Sequence, residues 1–151
     1  MELINSGECP YYLVSRTTLF ITSALKKGFL NGRVEHVKPA YLGVLLTLWR
    51  EDCLKVVELG REAGREPSTM TGLLDRMERD GLVCRCNDPQ DRRVLRICLT
   101  EAGRNVQKPV MEVIDQVFSS VFKGISKQEL FNLKDILRRI LANAHEESEG
   151  K

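Results

Sequence analysis

Histidine is scarce in this chain of 151 residues, with His36 and His145 its only two, and tryptophan occurs once. The two histidines lie on separate segments, so there is no H-E-x-x-H pair. The five cysteines show no paired C-x-x-C spacing of the zinc-site kind. A glycine-rich phosphate loop and a nucleophile elbow are also missing. Turnover of a bound molecule is therefore not expected, and neither is a cofactor or a metal. No apolar run approaches the roughly 18 residues that span a bilayer, and MELINSGECPYY lacks the basic-then-apolar order of a signal peptide. These absences point to a cytoplasmic protein without a membrane partner, in which the odd set of cysteines is expected as free thiols.

A surplus of charge is missing too. The net charge is +2, and residues 56–107 carry nine basic and nine acidic groups. Yet all nine of those basic residues are arginine (61, 65, 76, 79, 85, 92, 93, 96 and 104), with no lysine between Lys55 and Lys108. The planar guanidinium suits bidentate contact with phosphate, carboxylate or guanine. Pairing with nearby acids accounts for about half of them.

What is present is a strongly patterned stretch, PSTMTGLLDRMERDGLVCRCNDPQDRRVLRICL, from Pro67 to Leu99. Pro67 suits a first helical turn, where its missing N–H has no intrahelical partner to lose. Met70, Leu73, Leu74 and Met77 recur at the spacing of a buried helical face, which leaves Ser68, Thr69 and Thr71 at the exposed start. Gly81 ends the helix in a left-handed conformation. Two apolar, β-branched runs follow, Leu82 to Cys86 and Val94 to Leu99, joined by the turn formers of NDPQDRR. C-x-C at Cys84 and Cys86 places two thiols on one strand face. With Cys98, and Cys53 further upstream, they read as strand filling or exposed positions.

Upstream, a helix is predicted from about Tyr11 to Leu30, with Val14, Thr18, Ile21, Leu25 and Phe29 on one stripe and Leu13, Phe20 and Ala24 widening it. Pro39 opens a second helix with Leu42, Leu45, Leu46 and Trp49 as core candidates. LKVVELGREAG forms a short third one whose Gly60 suggests close approach to the next helix. Two short helices joined by a glycine-containing turn make a helix-turn-helix. After the hairpin, Thr100 caps a long helix in which Val106, Val110, Val113, Val117 and Val121 form a stripe and Pro109 imposes a kink. Gly124 closes it, and Ser126 with Glu129 forms a capping box for the last helix. There Leu130, Leu133, Leu137, Ile140 and Ala144 alternate by three and four before a frayed tail, HEESEGK. The terminal helices carry more apolar surface than a central module of about 60 residues can cover, and a second copy of the chain would bury it.

The segment GLLDRMERDGLVCRCNDPQDRRVLRICLTEAGR resembles the helix, wing and following helix of the MarR family of transcription regulators, with the match best over residues 41–105. The resemblance implies a mainly α fold with a small β-hairpin wing: a winged helix-turn-helix core over about 40–100, with dimerisation helices at 11–32 and 101–145, in a single domain over 1–151. It further implies a homodimer on a pseudo-palindromic operator of double-stranded DNA, acting as a ligand-responsive repressor with a small aromatic or anionic effector. On that reading Ser68, Thr69 and Thr71 lie at the major groove and Arg76 near phosphate or base. Asp91 orients the wing arginines Arg92 and Arg93 at the minor groove. Gly72 stands where many members carry a bulky basic residue, and Asp75 precedes Arg76. The effector region would involve the first two helices and the start of the long one after the wing. Two alternatives stand beside this reading: thiol-based redox sensing through Cys9, which sits where peroxide-sensing relatives carry a reactive cysteine, and a winged helix used for protein contacts without DNA.

Overall fold

A computed structural model describes residues 7–149, and the chain divides into two compact units, one ending at Val117 and the other beginning at Phe118. The expected limits at 1 and 151, and the last two residues of the HEESEGK tail, lie outside the described residues. Up to Glu149 that tail is helical.

The first unit opens with α1 (Pro10–Asn31), close to its predicted span. Only the C-terminal half of its apolar stripe is covered. Leu25 and Phe29 are buried, whereas Leu13, Val14 and Phe20 face solvent. A Cβ on Gly28 would lie 2.6 Å from Val113 Cγ1, and one on Gly32 2.8 Å from Val113 Cγ2, so both glycines admit α6 (Gln107–Val121) close against α1.

A 3-10 turn at Pro39–Tyr41 precedes α2 (Leu42–Arg50). The face packed into the core is Tyr41, Val44, Leu45 and Leu48; of the predicted core set only Leu45 is fully buried, and Leu46 is exposed. Next come β1 (Leu54–Lys55), α3 (Val56–Glu62) and α4 (Pro67–Arg79), with Gly64 at φ +64° in the turn of the helix-turn-helix. A Cβ on Gly60 would meet Met70 Cγ at 3.4 Å, an ordinary contact. The helices touch there without requiring a glycine.

β2 (Val83–Asn87) and β3 (Leu95–Leu99) form the predicted hairpin, and β1 adds a third strand the sequence pattern did not show. The antiparallel order is β1-β3-β2, with Leu54 opposite Ile97 and Cys84 opposite Cys98. That added strand overturns one expectation. It brings Cys53 beside Cys98, the Cα atoms 4.1 Å apart, and the two are joined in a disulfide, leaving Cys9, Cys84 and Cys86 free.

Asp88, at the base of the wing, is buried and fully engaged. One carboxylate oxygen accepts the Gln90 and Asp91 N–H groups, at 2.8 and 3.1 Å. The other accepts Arg96 Nε at 2.6 Å, and Arg96 Nη1 donates onward to the Cys53 carbonyl at 2.8 Å. Asp52 performs the matching task at the other end of β3, accepting the Leu99 and Cys53 N–H groups on Oδ1. No buried side-chain nitrogen or oxygen among the described residues lacks a partner.

The long helix after the wing is broken in two: α5 (Glu101–Asn105), a turn at Val106, then α6. The break falls one helical turn before Pro109 because proline withholds the hydrogen bond owed to the carbonyl four residues back. Thr100 caps α5 as predicted, its hydroxyl accepting the Gly103 N–H at 2.9 Å. Gly103 has a packing reason as well. A Cβ there would lie 2.0 Å from the Leu82 carbonyl oxygen, and the Gly103 carbonyl accepts the Trp49 indole N–H at 2.9 Å.

In the second unit, Phe118 and Phe122 meet edge to face at 5.5 Å, Gly124 turns the chain at φ +84°, and Ser126 and Glu129 form the predicted capping box ahead of α7 (Lys127–Glu149). The Ser126 N–H and hydroxyl hold the Glu129 carboxyl below the usual range. The α7 seam is open: Leu133 and Ile140 are exposed, as are Phe131, Ile136 and Leu141.

Two outcomes follow for stability. Gly103→Ala is expected to cost about 3 kcal/mol or more, because backbone rather than a flexible side chain must give way. Gly72→Ala, whose Cβ would meet only the far end of Arg76 at 3.6 Å, should gain about 0.5–1 kcal/mol from helix propensity. Urea unfolding of the two variants checks both. In the wing, the Gln90 N–H, then Arg96 and the Asp91 N–H, hold the Asp88 carboxyl below the ordinary aspartate value. Its stabilisation is thus complete above about pH 4, the unfolded value, and is lost as pH falls through the lower value of the folded state. Unfolding measured from neutral to acid pH should show the gap between wild type and Asp88→Asn narrowing over that interval; a constant gap would contradict it.

Candidate nucleic-acid interface

α4 is the element the sequence singled out, and its two faces are sharply divided. Met70, Leu73, Leu74 and Met77 are all buried, and Ser68, Thr69 and Thr71 are exposed at its N-terminal end. The Thr69 hydroxyl donates back to the Glu66 carbonyl at 2.9 Å, which fixes its rotamer and leaves its lone pairs outward. Ser68 and Thr71 make no side-chain hydrogen bond with any described residue. Helix N-termini and hydroxyls of this kind are ready partners for phosphate oxygens.

Further along, Arg76 is exposed and carries no ion pair. Its Nη1 lies 3.6 Å from the place a Cβ on Gly72 would occupy. The small residue at 72 therefore leaves room for the guanidinium to fold back along the helix. Asp75, adjacent in sequence, does not oppose Arg76. Its carboxylate binds Arg85 at 2.6 Å, and Glu78 binds the same guanidinium. Arg85 is held protonated chiefly by Asp75, so β2 is pinned to α4 and both acids are consumed.

At the wing tip Asp91 accepts the Arg93 backbone N–H at 3.0 Å and lies 3.6 Å from its Nε. It holds Arg93 alone. Arg92, expected to share that partner, makes no contact with it and is exposed. Of the nine central arginines, four are paired with acids: Arg85, Arg93, Arg96 with Asp88, and Arg104 with Asp52. Arg65 donates to the Ala40 carbonyl. Arg61, Arg76, Arg79 and Arg92 form no ion pair among the described residues.

Arg76 and Arg79 also line an open cleft of about 440 Å³ between α4, α1 and the 3-10 turn, facing Lys26 and Lys38. Tyr41 forms its floor. Burial first, and then the hydrogen bond to Asp80 at 2.7 Å, push the phenol up to about 12, so it remains a neutral donor. This cleft uses α1 and α4 rather than the helix after the wing, a placement that required the fold, because the residues these two helices contribute are 50 or more positions apart in sequence.

Cys9 immediately precedes α1, is half-buried, and makes no capping hydrogen bond. The nearest downstream cation, Arg16, is committed elsewhere, its guanidinium 4.9 Å from the Phe20 ring centroid and 5.8 Å from that of Tyr12. No described helix is long and apolar enough to cross a membrane.

Comparison with known proteins places this geometry. The MarR family model matches residues 39–95, the span from the 3-10 turn to the start of β3. The HTH-type transcriptional regulator SarZ of Staphylococcus haemolyticus is 33% identical over 100 residues, covering 66% of this chain and 67% of that protein. The organic hydroperoxide resistance transcriptional regulator of Bacillus subtilis is 32% identical over 113 residues, 73% of each chain. Among solved structures, reduced AbfR bound to DNA superposes with a TM-score of 0.66 at 27% identity, over 86% of each chain. A buried α4 stripe beneath exposed hydroxyls, a three-stranded winged sheet and these relatives lead to one assignment: the chain belongs to the MarR family of transcriptional regulators.

Proposed function

We propose that this chain binds double-stranded DNA as a homodimer and acts as a repressor that a small anionic or aromatic ligand releases. The observation that carries the reading is the division of α4, which commits one face wholly to the core and offers three hydroxyl side chains at its exposed N-terminus. In this reading Ser68, Thr69 and Thr71 enter the major groove, with Arg76 on phosphate or a base edge. Arg92 and Arg93 reach the minor groove, where narrow, negative grooves attract arginine. Asp91 sets the direction of Arg93. The winged module spans about 40–100, and helices 11–32 and 101–145 provide the dimer contacts. The exposed apolar side chains of α1 and α7 support that role, since a second copy would remove them from water. The cleft with Lys26, Lys38, Arg76 and Arg79 on its walls suits an anionic effector carrying an aromatic ring against Tyr41.

DNA chosen by sequence selection provides the test. Affinity should fall with salt at a log–log slope of about −0.9 per phosphate neutralised. The Arg92→Ala, Arg93→Ala double variant should lose about tenfold or more in affinity and show a shallower slope. Wild-type binding by that variant, or affinity indifferent to salt, would favour a winged helix that serves protein contacts instead. A second reading rests on Cys9, a free and partly accessible thiol at the start of α1, in a chain similar to a regulator named for organic hydroperoxide resistance. There, peroxide would release DNA from wild type and not from Cys9→Ser; equal release from both ends that reading.

A further inference from the structure

The outer face of the three-stranded sheet holds chemistry that DNA binding does not use. Directly opposed residues of antiparallel strands share a face. The register therefore sets Cys84 beside Cys98, and in the next row Cys86 beside Arg96, with Lys55 on the far side of Arg96. Cys53, bonded to Cys98, extends the first row. Four of the five cysteines thus occupy one patch, built from three strands and the loop before β1. Cys84 Sγ lies 3.7 Å from Cys86 Sγ and 3.7 Å from the Cys98 carbonyl oxygen.

We propose that this patch is a binding site for one soft divalent cation, such as zinc or cadmium, held by Cys53, Cys84, Cys86 and Cys98 when the Cys53–Cys98 disulfide is reduced. A dithiol supplies the two electrons and two protons that convert the disulfide to two thiols and is itself oxidised to a disulfide; the cation then displaces the four thiol protons. Disulfide and metal are alternative states of the same four sulfurs.

Part of the spacing already matches; Cys84 and Cys86 do not yet stand within 4.8 Å of both Cys53 and Cys98, and rotation of their side chains brings the two sulfur pairs together. Tetrahedral sulfur ligands about 2.3 Å from a metal stand about 3.8 Å from one another, and Cys84 and Cys86 have that separation before any ion is present. Cβ atoms of opposed strand residues, about 4.5–5.5 Å apart, let Cys84 and Cys98 share an ion without moving the backbone. The donor set selects a thiophilic metal. The Asp52 carboxylate lies within 4.8 Å of the Cys53 and Cys98 sulfurs; its Oδ1 already accepts the Cys53 and Leu99 N–H groups and its Oδ2 faces Arg104 at 3.4 Å, and the four sulfurs are the softer donor set. Four thiolates around a divalent ion carry a net charge of −2, and Lys55 stands in the adjacent row to offset part of it, its neighbour Arg96 being paired with Asp88. Arg96 also clamps the Cys53 carbonyl at 2.8 Å, which holds the loop in place once the disulfide is open. Nothing in this inference depends on DNA binding.

The test uses the full chain reduced with a phosphine, freed of reductant and titrated with cadmium. The expected result is a thiolate-to-cadmium charge-transfer band that saturates at one ion per chain, with zinc competing for the site. Thiol counting gives a readout free of any substitution: three reactive thiols before reduction, five after it, and one, Cys9, in the loaded protein. Cys84→Ser and Cys86→Ser should each weaken cadmium by more than about tenfold, since even outer-sphere changes cost that much, while Cys9→Ser leaves it unchanged. Absence of the band, a loaded chain with four or five reactive thiols, equal binding by the unreduced protein, or conversion of the reduced cluster to a Cys84–Cys98 disulfide in place of metal uptake would each overturn the proposal.

Discussion

The buried carboxylate of Asp88 is the constraint on which the wing and its sheet depend. A charged group this far from water survives only if its oxygens are satisfied, and here three backbone and side-chain donors converge on it. Those donors divide between two tasks. Gln90 and Asp91 define the turn that carries Arg92 and Arg93 outward, and Arg96 ties the turn to β3. The second arm of Arg96 carries the same restraint to the Cys53 carbonyl, 43 residues away in sequence. Because charge-assisted hydrogen bonds are shorter and stronger than neutral ones, the wing tip behaves as an extension of the sheet and not as a loose loop.

That economy of charge decides which arginines of a module with no net charge are held by the structure and which are not. Asp75, Glu78, Asp88, Asp91 and Asp52 are spent on Arg85, Arg96, Arg93 and Arg104, so the acids are neutralised where they brace structure. Arg61, Arg65, Arg76, Arg79 and Arg92 are what remains without an acid, Arg65 donating to the Ala40 carbonyl. Exposed pairs such as Arg93 with Asp91 add little stability, but they do set direction. The field that a polyanion would meet is therefore decided by which arginines lack an acid, a property invisible in a sum over the sequence.

The elements that could be read from the sequence are those set by neighbours a few residues away. Pro67 at the start of α4, the left-handed Gly81, the Thr100 cap and the Ser126–Glu129 box each satisfy a backbone group locally, and each stands where its residue type indicated. What escaped depends on pairing at long range. β1 has two residues and exists only because β3 lies beside it, and with it comes the Cys53–Cys98 contact across 45 residues. By sequence Asp88 is only a turn former, since nothing nearby announces that Arg96 and burial make it the wing's anchor. Leu46 is exposed because the face of α2 that packs into the core runs through Val44, Leu45 and Leu48, a choice made by distant partners and not by the local pattern. The contacts of Ser68, Thr69, Thr71 and Arg76 with a partner stay outside what a single chain can display, although their exposure was legible from the α4 periodicity alone.

α1 connects the surfaces on which the proposed regulation would rest. Its first half leaves Leu13, Val14 and Phe20 in water, its middle contributes Thr22 and Lys26 to the cleft, and its last turns lock against Val113 through Gly28 and Gly32. One helix thus touches the surface suited to a second copy, the wall of the cleft lined by Lys26, Lys38, Arg76 and Arg79, and the body of the winged module. Across the cleft stand Arg76 and Arg79 of α4. A ligand that bridges Lys26 to those arginines makes contacts that change whenever α4 moves relative to α1, and such differential contact is what coupling between two sites requires. On the proposed reading the same guanidinium of Arg76 would serve both the ligand and DNA. Competition for one side chain is enough to make the two affinities reciprocal, with no pathway needed through the rest of the fold.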